Sequence, residues 1–131
     1  MKKICFAVLL AFMALRPAQA TDDRAILPPP EYDHPYTGEL LIIQVEKQQT
    51  LIDNCPTIYR NKPPNTPAIA CTIRHEKSCV VLIASKDQFP WFQMIHKSYS
   101  YENVLRHEIG HCNGWPGDHP NSVYDPAYDD R

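Results

Sequence analysis

The chain has 131 residues, of which 13 are basic and 15 are acidic, so its formal net charge at pH 7 is −2. A chain of this length is sufficient for one folded domain and no more. The acidic balance argues against nucleic acid as a partner and against a polybasic membrane contact, because both surfaces are bound through clustered Lys and Arg.

Residues 1–20 are predicted to be an export signal. A basic start is followed by an apolar run, residues 4–15, and then by Ala18 and Ala20, the small residues that a signal peptidase reads. The run is too short to remain as a membrane-spanning helix, so we expect no stable anchor after cleavage. Removing residues 1–20 leaves 10 basic and 15 acidic side chains, a net charge of −5. The sequence therefore predicts a periplasmic or secreted protein.

Four cysteines follow the signal: Cys55, Cys71, Cys79 and Cys112. An even number in a small exported chain indicates two disulfides. Three pairings are possible, and we favour Cys71–Cys79, which flank a short turn, together with Cys55–Cys112.

Residues 21–39 form a predicted extended arm without helix, because they contain Pro28-Pro29-Pro30 and Pro35. Residues 40–131 are predicted to be the folded domain. Its first element is an apolar run from Leu40 to Val45, which has the length of a buried strand. A helix is predicted from Glu46 to Asn54, ended by Pro56.

A hairpin is predicted from two apolar runs, Ala68–Ile73 and Cys79–Ala84, separated by a polar turn. The best-defined helix is predicted over residues 101–113, with Ser100 as its cap and Gly114 after its end. The residues from 115 onward are rich in Pro, Asp, Asn and Tyr, and we expect an ordered loop there. The order of elements predicts an α+β domain with a small mixed sheet.

The chemistry is concentrated in the segment His107-Glu108-Ile109-Gly110-His111. Positions four apart on a helix share a face, so both imidazoles can bind one Zn²⁺ ion. Zinc lowers the pKa of a bound water towards neutrality, and Glu108 beside it can take the water's proton as a general base.

The string from His107 through Gly114 resembles the metzincin zinc-binding signature. Residues 106–119 are also similar to a group of small exported bacterial proteins of uncharacterised function, which share an Asn-Gly-Trp turn and an Asp-His pair. These resemblances imply a minimal zincin-like domain, in which a small mixed sheet and a backing helix support a zinc-binding helix.

In metzincins the third metal ligand lies three residues after the glycine, and that position here is Gly117. A turn two residues longer would deliver His119 to the metal, which is the assignment we favour. Asp118 is the alternative third ligand, because Asp and His are both ordinary zinc ligands.

These features predict a zinc metallopeptidase that acts as a monomer on a peptide or protein substrate, with Glu108 as the catalytic base. By position, residues 80–84 are the candidate strand for pairing with the substrate backbone. The alternative function is a non-catalytic periplasmic binding domain that zinc stabilises.

Overall fold

A computed structural model describes residues 24–128, so the predicted export signal lies outside the described residues. The chain forms an α+β fold built on one three-stranded sheet and one two-stranded sheet. In chain order the elements are β1 (Ile26–Leu27), β2 (Glu39–Val45), α1 (Gln48–Asn54), α2 (Pro56–Tyr59), β3 (Ala70–Arg74), β4 (Ser78–Ala84), α3 (Phe89–Phe92), α4 (Tyr101–Cys112) and β5 (Val123–Tyr124). In residues 24–128 none of the helices has the length and apolar character needed to cross a bilayer.

The larger sheet has the strand order β2–β4–β3. The predicted hairpin is confirmed, since β3 and β4 pair antiparallel, whereas β2 runs parallel to β4. Strand β4 carries the centre of the core, with Val81 and Ile83 fully buried. Because successive side chains of a strand point to opposite faces, β4 supports packing on both sides of the sheet.

Strand β2 was predicted to be buried, and this prediction is wrong. It is an edge strand in which Leu41 is 55% exposed and Ile43 is 40% exposed. Its burial is limited because helix α4 packs on β3 and β4 instead. An apolar run predicts a strand but does not distinguish the centre of a sheet from its edge.

Helix α4 follows the prediction closely. The Ser100 hydroxyl accepts a hydrogen bond from the Asn103 backbone N–H, and Gly114 adopts a positive φ of 102° just after the helix. Glycine takes this left-handed conformation without the steric cost that a side chain would add. The chain consequently leaves α4 in a sharp turn.

The disulfides are Cys55–Cys71 and Cys79–Cys112, so the favoured pairing was wrong. In the β3–β4 register Cys79 lies opposite Arg74, three residues beyond Cys71. Side chains an odd number of positions apart in this register point to opposite faces of the sheet. One bridge therefore ties β3 to the end of α1, and the other ties β4 to the end of α4.

The described part of the predicted arm that precedes β2, residues 24–38, packs against α4. It contributes β1, which pairs antiparallel with β5. The Arg106 guanidinium forms an ion pair of 2.6 Å with Asp33, and the Asn113 side-chain amide donates to the carbonyl oxygens of Tyr32 and His34. These contacts place the start of the arm beside the predicted zinc-binding helix.

Gly110 explains how closely the arm approaches α4. A Cβ atom at this position would lie 2.7 Å from Cβ and 2.8 Å from Cγ of Pro28, whose ring is fully buried. These distances are shorter than van der Waals contact. A glycine in the middle of α4 is therefore required by the packing of the arm, although it disfavours the helix by about 1 kcal/mol relative to alanine.

We predict that Gly110→Ala lowers the free energy of unfolding by about 1 kcal/mol or more, because overpacking costs about 1–3 kcal/mol and outweighs the gain in helix propensity. Urea denaturation followed by circular dichroism measures this change. Gly117→Ala is the matched control, since no atom lies within 4 Å of a Cβ built there. Equal or greater stability of Gly110→Ala would contradict the close packing.

Candidate metal centre

Helix α4 brings His107 and His111 together as neighbours one turn apart. Their Nε2 atoms lie 3.1 Å from each other, and their ring centroids lie 4.8 Å apart. Both side chains are partly buried, so the rings are held between the helix and the surrounding chain. The two Nε2 atoms face the same point in space.

Two backbone carbonyls set the proton positions on these rings. Nδ1 of His107 lies 2.9 Å from the carbonyl oxygen of Ile26, and Nδ1 of His111 lies 2.8 Å from that of Trp115. A carbonyl oxygen only accepts, so each Nδ1 carries the proton and donates it. In the neutral rings each Nε2 then presents a free lone pair, which is the form that binds a metal.

His119 reaches the same point through the turn after the helix. Its Nε2 lies 3.2 Å from Nε2 of His111, and its backbone has a positive φ of 56°. The turn is fixed by a hydrogen bond from the Trp115 N–H to the Gly110 carbonyl and by one from the His119 N–H to the Pro116 carbonyl. A left-handed histidine is sterically unfavourable, and such conformations are found where function requires a particular side-chain direction.

Trp115 forms one wall of the site. Its indole ring stacks on the His111 ring with centroids 5.1 Å apart and an angle of 18° between planes, and it is 2% exposed. The indole Nε1–H donates to the Pro120 carbonyl, which holds the loop on both sides of His119. The tryptophan therefore orients a histidine and also shapes the turn that follows.

The arrangement of the three histidines suits a metal ion. Their ligand nitrogens lie within 4.8 Å of one another. Tetrahedral zinc with Zn–N distances of about 2.0–2.1 Å separates its ligand nitrogens by about 3.3 Å. The Nε2 atom of His111 lies 3.1 Å from that of His107 and 3.2 Å from that of His119, close to this value. Two unprotonated nitrogens at 3.1 Å repel each other, and a shared cation removes that repulsion. Among residues 24–128, these three histidines form the group that can hold a metal.

The pKa values of the histidines favour the metal-binding form. Burial lowers the pKa of His107 to about 4, and the hydrogen bond to Ile26 opposes this shift in part. Burial also lowers the pKa of His119, as does the charge of His111, while nearby Asp118 raises it. Asp118 itself is exposed and does not belong to the histidine group. The structure therefore brings His119, and not Asp118, to the two helix histidines.

Glu108 follows His107 on α4 and is 7% exposed. Its Oε2 atom is 2.6 Å from the Thr72 hydroxyl, which is also 3.0 Å from the Glu108 backbone carbonyl. Burial raises the pKa of Glu108 to about 7, while the hydrogen bond from Thr72 lowers it. A carboxyl group with a pKa near the working pH is suited to accept and return a proton.

The sequence interpretation did not identify Thr72, Trp115 or the carbonyl of Ile26 as parts of the site. One signal was available for Thr72, because it is the one hydroxyl-bearing side chain in the predicted strand of residues 68–73. No comparable signal marks Ile26, since any residue there supplies the same carbonyl. Its role follows from where the arm packs.

The histidines and Glu108 open into a cleft of about 720 Å³, which we call the metal cleft. Strand β3 forms one side of it through Ala70, Thr72 and Arg74. The predicted substrate strand, residues 80–84, belongs to β4 and is paired on both edges, so this prediction is wrong. The strand with a free edge beside the cleft is β3.

The chain matches no protein-family model, no curated protein and no solved structure. The interpretation of the metal centre therefore depends on the geometry and chemistry of its own residues.

We predict that the purified chain binds one Zn²⁺ ion and that His119→Ala weakens this binding by more than about 100-fold. Losing a direct ligand should weaken metal binding more than losing an outer-shell partner of a ligand, which costs about 10–100-fold in affinity. Competition with a chromophoric chelator measures the affinity. Asp118→Asn and His75→Ala, both at exposed positions, serve as controls. If Asp118→Asn weakened binding and His119→Ala did not, the assignment of the third ligand would be wrong.

Proposed function

We propose that this protein is a zinc-dependent peptidase of zincin type that hydrolyses peptide bonds with Glu108 as general base. The observation that carries the proposal is a three-histidine group with a buried carboxyl beside it, opening into a cleft. Three protein ligands and one position for water or substrate are the usual composition of catalytic zinc sites.

A purely structural zinc site accounts less well for the same residues. Structural sites are closed by four protein ligands. Among the described residues, the group of possible ligands consists of three histidines, with no further Cys, Asp or Glu. A structural site also has no use for Glu108, whose burial without an ion pair is costly. The open position and the placement of Glu108 both favour catalysis.

Zinc held by these histidines would supply a Lewis acid that lowers the pKa of water and polarises the substrate carbonyl. Glu108 would accept the proton of the attacking water and deliver it to the leaving amine. The Thr72 hydroxyl, in contact with the Glu108 carboxyl, would hold it in one orientation during both transfers. Burial of Glu108 strengthens these interactions, because charges in a site shielded from water interact more strongly.

The substrate would bind in extended form along β3. This strand pairs with β4 on one side only, and on its other edge the Ala70 carbonyl already accepts a hydrogen bond from the Tyr59 hydroxyl. The backbone groups of Thr72 and Arg74 on that edge would form hydrogen bonds with a peptide. Thr72 lies midway along β3 and touches Glu108, which places the strand's midpoint beside the catalytic base. Such backbone pairing orients a peptide bond over the metal with little dependence on side chains.

We further infer that the protein acts in the periplasm or outside the cell. Two disulfides in a chain of this size indicate an oxidising environment. Both bridges join elements that carry the site, because one anchors β3 and the other anchors the end of α4.

We predict that Glu108→Gln retains zinc but loses peptide hydrolysis by about 100-fold or more, the size of a general-base contribution. Casein and a mixed peptide library provide the substrates, and metal analysis verifies the zinc content. Glu102→Gln is the matched control, because it makes the same change at an exposed position in the first turn of α4. A zinc-loaded wild-type protein that cleaves no peptide in the library would refute the peptidase proposal.

We predict that Thr72→Val lowers kcat about tenfold while zinc affinity is kept, because Glu108 loses the hydroxyl that orients it. Removing a hydrogen bond to a charged group is worth about 1.5–3 kcal/mol. Thr72→Ser should restore kcat, which a merely structural effect of the strand would not produce. Thr50→Val, an exposed change on α1, is the control. Failure of the serine variant to recover activity would exclude the positioning role.

A further inference from the structure

The metal cleft contains two basic side chains that neither the metal centre nor the catalytic base uses. Arg74 at the end of β3 and Lys62 in the loop after α2 both line it. The whole chain is net acidic, so a basic cleft is not a consequence of overall composition. Local charge of this kind attracts a substrate of opposite sign.

The strand directs the Arg74 side chain towards α4, where it lines both the metal cleft and a neighbouring pocket. Thr72 and Arg74 are two residues apart on β3, so their side chains share the face that looks towards α4. The Arg74 guanidinium lies 3.5 Å from where a Cβ atom of Gly114 would be. The guanidinium therefore lies beside the turn that carries His119.

Arg74 is exposed, and no carboxylate among residues 24–128 forms an ion pair with it. Among the described residues that line the metal cleft, Glu108 is the acidic one, and it is buried against Thr72. The guanidinium is consequently available to a ligand. Its planar donor pattern matches a carboxylate, with which it can form two parallel hydrogen bonds.

We propose that the metal cleft selects peptides that carry a carboxylate close to the scissile bond, with Arg74 as the residue that binds it and Lys62 adding to the positive field. This specificity rests on the proposed peptidase function. A peptide running antiparallel to β3 would place the residues before its scissile bond near Arg74, since Thr72 marks the position of the base. The carboxylate would then be an Asp or Glu side chain one to three residues before that bond.

The test measures binding separately from cleavage. Fluorescence anisotropy measures how tightly zinc-loaded Glu108→Gln binds three labelled peptides. The peptides are identical except at one internal position and at their ends. The first has an internal Asp and blocked ends, the second has Asn and a free C-terminal carboxylate, and the third has Asn and blocked ends. We expect the internal-Asp peptide to bind about tenfold more tightly than the blocked neutral peptide, because a hydrogen bond to a charged group contributes an affinity gain of about this size.

Arg74 variants test the residue, in the same Glu108→Gln background. Arg74→Ala should abolish the difference between the acidic and neutral peptides, and Arg74→Glu should reverse it in favour of a Lys-containing peptide. Arg60→Ala is the matched control, because Arg60 is exposed and does not line the metal cleft. If the carboxylate bound zinc directly, Arg74→Ala would still bind the acidic peptide more tightly than the neutral one, and this result would overturn the proposal.

The outcomes separate this inference from the function on which it rests. If the acidic peptide bound in an Arg74-dependent way but the wild-type protein did not cleave it, the carboxylate site would be supported and the peptidase function would be refuted. Cleavage of acidic and neutral peptides at equal rates, unchanged in Arg74→Ala, would sustain the peptidase and overturn the carboxylate site. Preference for the free C-terminal carboxylate over the internal Asp would also overturn it.

Discussion

The candidate metal centre depends on two hydrogen bonds from histidine rings to backbone carbonyls. The carbonyl of Ile26 holds the proton of His107 on Nδ1, and that of Trp115 does the same for His111. Each bond sets the direction of a ring and leaves its Nε2 free. One carbonyl belongs to the arm that precedes the sheet and the other to the turn that follows α4. Two segments with little secondary structure therefore complete a site whose side chains come mainly from one helix.

A single physical condition, burial, shifts the pKa values of two groups in the site in opposite directions. It lowers the pKa of His107 to about 4, and it raises the pKa of Glu108 to about 7. Withdrawal from water disfavours the charged form of each group, so the histidine stays neutral and the carboxyl holds its proton more strongly. A histidine must be neutral to bind a metal, and a carboxyl that accepts and returns a proton needs a raised pKa. The packing of the arm and β3 on α4 provides both together.

Much of the architecture could be predicted because it depends on local patterns. The hairpin, helix α4 and the α+β class follow from apolar periodicity and a capping serine. The disulfide pairing and the exposure of β2 could not be predicted, because both depend on which face or edge of the sheet each strand presents. At the site, the spacing of His107 and His111 identified the helix, whereas the roles of Thr72 and the Ile26 carbonyl depend on contacts between residues 36 and 81 positions apart. Long-range packing is not encoded in short motifs.

The pairing of β1 with β5 bears on the order in which the molecule assembles. Ile26 lies opposite Tyr124, so this two-stranded sheet joins segments that are separated by nearly the entire described chain. Forming this pairing requires the closure of a long loop, which costs conformational entropy. Folding of the His-Glu-x-x-His helix alone therefore leaves the group of three histidines incomplete. The group is assembled when the Ile26 carbonyl has docked on His107 and the turn after α4 has brought His119 to His111.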